Sequence, residues 1–248
     1  MVKNLILGFV IITLFVSAVP ITKITVYLIG DSTISIKDVK AYPETGWGMP
    51  FANFFDSTVV IDNRAKNGRS TRTFLSENRW QSITAQLKPG DYVFIQFGHN
   101  DESKEKTDRY TTPVEYQENL KKFIMESRQK QAIPVLLTPV SRRKFKDGLA
   151  QETHAEYSEL VRQVAKEQNV LFIDLDKRSQ ELLQKFGEEK SKLLFLQLAP
   201  GEHPNYPEGK TDNTHFNELG AREIAQLVLV EIRNLKMELA DRIVKPSK

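Results

Sequence analysis

The chain has 248 residues, is 40% hydrophobic, carries a formal net charge of +3 and contains no cysteine. That length and apolar content suit one large α/β domain. The missing cysteines exclude thiol nucleophiles, disulfides and thiolate metal sites, and interspersed charges of both signs argue against a nucleic-acid partner.

The first residues read as an export signal. Lys3 is followed by the apolar run Leu5 to Val16 and by small residues suited to cleavage after Ala18. The run is short for a membrane span, and an uncleaved anchor is the alternative. The expectation is a signal peptide at 1–18, a single domain at 19–248, export to the periplasm or the medium, and no stable membrane association after cleavage.

Apolar strand-like runs then alternate with helix-period segments, which predicts βαβ units around a parallel sheet. The strands are expected at Thr25 to Ile29, Thr58 to Asp62, Tyr92 to Phe97, Ile133 to Thr138 and Val170 to Asp174. Thr112-Pro113-Val114-Glu115 starts a helix by a capping residue followed by proline at its first position. Tyr116, Leu120, Phe123 and Ile124 then fall on one face. Tyr157, Leu160, Val161 and Val164 repeat that spacing, and a last helix from about Asn217 carries Ile224, Leu227, Val228, Ile232 and Leu235. The basic cluster Arg142, Arg143, Lys144 and Lys146 follows the fourth strand, where it reads as a solvated loop or as an attractor of an acidic polymer.

Four short stretches sit at strand ends, where parallel sheets open their ligand crevices. Gly30-Asp31-Ser32 ends the first strand and makes Ser32 the candidate nucleophile. Asn67-Gly68-Arg69-Ser70 turns after the second, and a bare glycine N–H there suits a developing negative charge. Gly98-His99-Asn100-Asp101 follows the third, where the Asn100 amide is an uncharged donor. Asp212-Asn213-Thr214-His215 lies in the loop entering the last helix, an acid and a histidine close enough for the carboxylate to orient the ring. Half of a metal site is the other reading of that pair, but His99, His154 and His203 complete no metal-binding spacing.

In this order the four stretches resemble the blocks of the SGNH (GDSL-type) hydrolase superfamily. Gly46-Trp47-Gly48, Gln96 to Glu102, Thr138 to Arg142 and Asp212 to Phe216 resemble its rhamnogalacturonan acetylesterase branch, although Asn67 stands where that branch often has a second glycine. The resemblance implies a flavodoxin-like three-layer α/β/α sandwich with a five-stranded parallel sheet in the order 2-1-3-4-5. It implies Ser32 as nucleophile, His215 as base and acid, and Asp212 as orienting carboxylate. The oxyanion hole would comprise the N–H groups of Ser32 and Gly68 with the Asn100 side chain. Neither cofactor nor metal is implied.

The implied activity is that of a secreted serine esterase removing O-acetyl groups from plant cell-wall polysaccharide, foremost rhamnogalacturonan. A lipolytic or thioester-cleaving hydrolase, an acetylxylan esterase and a non-catalytic carbohydrate-binding protein are the alternatives. Trp47, Trp80 and Tyr206 are offered as sugar platforms and His99 as a further substrate contact.

Overall fold

The computed structural model describes residues 23–245. The expected signal peptide therefore lies outside the described residues. Strand β1 (Ile24–Gly30) leads through the short helix α1 (Gly48–Phe51) to β2 (Val59–Asn63). Two further short helices, α2 (Thr71–Ser76) and α3 (Arg79–Thr84), precede β3 (Tyr92–Gln96). Helix α4 (Pro113–Gln129), strand β4 (Ile133–Leu137), the hairpin β5 (Phe145–Lys146) and β6 (Leu149–Ala150), and helix α5 (Ala155–Glu167) follow. The chain closes with β7 (Leu171–Ile173), α6 (Leu175–Lys190), β8 (Phe195–Leu198), β9 (Lys210–Phe216) and α7 (Glu218–Asn234).

Five of these strands pair in parallel in the order β2-β1-β3-β4-β7, which is the expected 2-1-3-4-5 arrangement counted over the sheet strands alone. Strand side chains alternate between two apolar layers, as period-2 geometry requires. Val26 and Leu28 of β1 join Phe94 of β3 and Val135 of β4 under α1, α6 and α7. Tyr27 and Ile29 join Val93, Ile95 and Leu136 under α2 to α5. Both faces are covered, which is why the central strands read as unbroken apolar runs.

Helix α4 begins where its sequence predicts: the Thr112 side chain accepts from the Glu115 N–H, and proline occupies the first turn. Two features departed from expectation. Asp212 and His215 lie on a strand, β9, which pairs antiparallel with β8 outside the main sheet. Helix α6 was not anticipated, because its apolar stripe is thin; Leu175 and Leu183 are its buried leucines, among many charged neighbours.

Strand β1 lies between β2 and β3, so its chain connections leave in opposite directions. That is a topological switch point, where the ends of neighbouring loops part and leave a crevice. At Gly30 a side chain would run into the Gln96 carbonyl of β3, so only glycine lets β1 end this close to its neighbour. Ser32 comes two residues later, in the crevice.

Candidate active site

The turn after β1 is held by its own aspartate. Asp31 is fully buried, and its Oδ1 accepts from the Thr33 N–H at 2.9 Å and the Thr33 hydroxyl at 2.8 Å. Burial pushes the Asp31 carboxyl up, against those hydrogen bonds. This fixes the turn and presents Ser32 Oγ to the histidine of β9: His215 Nε2 lies 2.9 Å from it. On the other side of the ring, His215 Nδ1 lies 2.8 Å from Asp212 Oδ2.

Asp212 is itself fastened to backbone, its Oδ1 accepting from the N–H groups of Thr214 at 2.7 Å and His215 at 3.0 Å. Burial opposes ionisation of this carboxyl, but the bonds from the His215 ring and backbone outweigh it and hold the group well below the usual carboxylate range. An ionised Asp212 accepts a hydrogen bond from the ring Nδ1–H, which keeps the proton on Nδ1 and leaves Nε2 a lone pair facing the Ser32 hydroxyl. Residues separated by 183 positions thus form one hydrogen-bonded line.

Donors cluster beside it. Gly68 and Asn100 line the same cavity of about 320 Å³ as Ser32 and His215. Gly68 has φ +74°, a conformation that favours glycine, and it turns the backbone at the cavity wall. Asn67 does not need the left-handed conformation for which asparagine is tolerated, since the turn takes its positive φ at Gly68 alone. Among the described residues, the N–H groups of Ser32 and Gly68 donate to no protein acceptor. Asn100 Nδ2 gives one hydrogen to the Arg69 carbonyl at 3.1 Å, which fixes the amide while its second hydrogen stays available.

Lys37 joins these turns, a role that no sequence signal marked. Its Nζ lies 2.5 Å from the Ser32 carbonyl oxygen, 2.9 Å from Asn67 Oδ1 and 2.7 Å from Glu44. Ser35 Oγ also reaches Asn67 Oδ1, at 2.5 Å. Burial pushes the Lys37 ammonium down, and Glu44 opposes that shift. On the far side, Asp101 is buried and binds the backbone and hydroxyl of Thr71 at 2.9 and 2.6 Å. Burial raises the Asp101 carboxyl to about 7.

His99 lines the cavity from a buried position, and its ring lies 4.2 Å from that of His154. Burial, then the neighbouring His154, Arg142 and His215 side chains, push His99 well down, so it is a neutral ring at the cavity wall. Of the basic cluster, Arg142 lines the cavity, while Arg143 is engaged by Ser191 and Asn213 at 3.0 and 3.1 Å. Lys106 and Arg109 also line it. They sit in a polar stretch whose composition did not separate them from any solvated loop.

Two residues offered as sugar platforms belong to the core instead. Trp47 is fully buried and donates to Gln96 Oε1 at 2.7 Å; Trp80 is 2% exposed, stacks edge-on against Phe123 and donates to Glu126 at 2.6 Å. Their spacing among apolar neighbours is core patterning. Tyr206 donates to the Ala41 carbonyl at 2.8 Å and is not among the cavity-lining residues. Among the described residues no group of three or more His, Asp or Glu side chains is arranged to hold a metal ion.

Comparison with known proteins gives the chain's family. Residues 28–223 match the model of the GDSL-like lipase/acylhydrolase family. The chain is 43% identical over 222 residues to rhamnogalacturonan acetylesterase RhgT of Bacillus subtilis, covering 89% of this chain and 94% of that one. It is 37% identical to the probable rhamnogalacturonan acetylesterase YesY of the same organism, covering 89% and 97%. The crystal structure of Bacillus subtilis protein YxiM superposes with a TM-score of 0.75 at 25% identity, covering 89% of this chain and 59% of that one. The chain belongs to the GDSL-like lipase/acylhydrolase family.

Proposed function

We propose that this member of the GDSL-like lipase/acylhydrolase family is a serine esterase that removes O-acetyl groups from a plant cell-wall polysaccharide, with acetylated rhamnogalacturonan as its substrate. The observation that carries the reading is the line from Ser32 Oγ through His215 to Asp212, at 2.9 and 2.8 Å, beside two N–H groups without a protein acceptor. The substrate is drawn from relatives named rhamnogalacturonan acetylesterases at 43% and 37% identity.

In this mechanism Ser32 Oγ attacks the acetyl carbonyl carbon as His215 Nε2 takes its proton. The carbonyl oxygen becomes an oxyanion and receives hydrogen bonds from the N–H groups of Ser32 and Gly68 and from Asn100 Nδ2. Collapse of the tetrahedral adduct breaks the bond to the sugar oxygen, which leaves with the proton held by His215. Water, deprotonated by the same ring, then attacks the acetyl-serine, and collapse of that adduct breaks the bond to Ser32 Oγ, which takes the proton back from His215 as acetate is released. Asp212 holds the ring in the tautomer that both half-reactions use.

The cavity lining favours a small acyl group. Glu44, Asn67, Lys106, Arg109, Arg142 and Thr214 surround the reacting groups, and no aliphatic or aromatic hydrocarbon side chain is among the lining residues. A long acyl chain would find no hydrocarbon side chain in this lining to pack against, which counts against the lipolytic alternative. The export reading continues from the sequence: residues 1–18 serve as a removable signal, and the enzyme meets its polymer outside the cytoplasm.

The test is acetate release by the purified 19–248 chain from acetylated rhamnogalacturonan, acetylated xylan and long-chain esters. Release from the pectic polymer, lost in a folded Ser32→Ala variant, is the expected result. Turnover that survives in Ser32→Ala would falsify the nucleophile assignment, and a preference for long-chain esters would replace the acetylesterase reading with the lipolytic one.

A further inference from the structure

Two histidines beside the Ser32 cavity are buried and take no part in the steps above. His99 is 5% exposed and lines the cavity, and among the described residues neither of its ring nitrogens has a protein partner at hydrogen-bond geometry. Buried polar groups are nearly always bonded, so an imidazole left in this way at a reaction cavity needs a reason. The Val140 carbonyl favours a proton on the nitrogen it acts on, and the neutral ring then keeps a lone pair on the other.

The ring is held from behind. Its centroid lies 4.2 Å from that of His154, and the two rings meet edge to face. His154 Nδ1 lies 2.9 Å from both carboxylate oxygens of Glu102. Glu102 is 3.6 Å from Arg142 Nη2, and Arg142 Nη1 donates at 2.6 Å to Thr214 Oγ1 on β9, one residue from His215. These contacts set the His99 ring relative to the strand that carries the base.

We propose that His99 holds the water that hydrolyses the acetyl-serine, with His154 and Glu102 as residues that position its ring. The inference rests on the esterase reading above and concerns its second half-reaction. In the first, the chain itself fixes the nucleophile, with Ser32 Oγ 2.9 Å from His215 Nε2. A water has no such tether, and a second hydrogen bond is needed to define its line of attack. One of its O–H groups donates to the free nitrogen of His99. The other O–H bond breaks as its proton passes to His215 Nε2 and the oxygen bonds to the acetyl carbon. Collapse then breaks the bond to Ser32 Oγ, which takes that proton, and His99 ends the cycle as it began. A ring so little exposed admits a water and excludes a sugar, and the acetyl methyl has no polar group to offer it.

The experiment follows 4-nitrophenyl acetate by stopped flow, where the burst of nitrophenolate reads acylation and the later steady rate reads deacylation, with intact mass measured for the acetyl-enzyme. In His99→Phe the burst should keep its rate, the steady rate should fall roughly tenfold or more, and acetyl-enzyme should accumulate. Hydroxylamine, a stronger nucleophile than water, should relieve that block more than it speeds the natural enzyme. His99→Gln restores an uncharged donor and acceptor and should recover part of the steady rate. Glu102→Ala should show the same split in weaker form, and it decides the matter if His99→Phe does not fold. A slowed burst with unchanged deacylation, or natural rates for both steps in the deciding variant, overturns the proposal and leaves the esterase reading intact. A natural enzyme that hydrolyses no acetyl ester would overturn both.

Discussion

Lys37 Nζ lies 2.5 Å from the carbonyl oxygen of Ser32 and 2.9 Å from Asn67 Oδ1, so one buried ammonium ties together the turns that carry two of the proposed oxyanion donors. Donors act on a transition state only where they are already aimed, and a fixed cation behind both turns supplies that aim. Lys37→Met combined with Glu44→Gln removes the clamp without leaving a buried carboxylate unpaired. We expect kcat to fall roughly tenfold or more with KM little changed, since misplacement by an ångström can cost that much. Parent kinetics in a folded double variant would show the clamp to be idle.

Asp212→Asn tests the orienting carboxylate. The Asn carbonyl can still accept from the backbone of Thr214 and His215, which preserves the shape of the strand. Its NH₂ then faces the ring nitrogen that Asp212 Oδ2 now meets at 2.8 Å and forces the wrong tautomer. Activity should drop by about 10⁴, the size of loss this change produces in a Ser-His-Asp triad. A fall of only a few-fold, measured on 4-nitrophenyl acetate, would remove Asp212 from that role.

Asn100→Ala deletes a single donor from the cavity wall and frees the Arg69 carbonyl. The expected loss is roughly 10²–10³ in kcat. Steady-state kinetics on one acetyl ester decides it, and an unaltered kcat would limit Asn100 to bracing the Arg69 turn.

Stability should decline as pH rises through neutrality. Burial raises the Asp101 carboxyl to about 7, above its value of 3.8 in the absence of the fold. The native state therefore holds this proton more tightly than the unfolded chain does. Its stabilising contribution is complete below about pH 4 and is lost as pH climbs through 7. Urea midpoints between pH 5 and 8 should decline in the natural protein and decline less in Asp101→Asn. Asp31, also pushed up by burial, contributes with the same sign and leaves a residual slope. Identical slopes in both proteins would contradict the assignment to Asp101.

Trp47→Phe separates core from platform. The fully buried indole donates to Gln96, whose own amide donates to Thr33 Oγ1 at 2.6 Å, next to Ser32. Losing the N–H strands a buried acceptor, at a cost of about 1–3 kcal/mol in urea unfolding. KM for the polysaccharide should not change. A large rise in KM with intact stability would return Trp47 to the substrate.

The sheet was legible because its central strands β1, β3 and β4 are buried on both faces and so read as apolar runs, bounded by turn residues. The site motifs were legible for a related reason. Chemistry at a strand end needs particular residue types at fixed offsets, as Gly30-Asp31-Ser32 and Asp212-x-x-His215 illustrate. Strand β9 was misread as a loop because Lys210–Phe216 is mostly polar and half-exposed, with only Phe216 fully in the core. Trp47 and Trp80 misled in the opposite direction. An indole presents one polar atom, and that atom is satisfied as readily by a buried glutamine or a neighbouring glutamate as by a sugar.

From its sequence alone this chain determined its strand segments, the parallel class of its sheet and the identity of the groups at the strand ends, because burial periodicity and local backbone chemistry are written residue by residue; the order of the strands came from the family resemblance. Which groups meet was decided only by the tertiary structure. Lys37, Arg109 and Glu44 carry no local signature, since a charged side chain in a polar stretch is ordinary until the fold closes around it. The folded sheet brings His215 within 2.9 Å of a serine 183 positions away and sets an arginine over Gly68. Such contacts depend on how two loops lie across a switch point, a relation between distant backbones that no window of sequence contains.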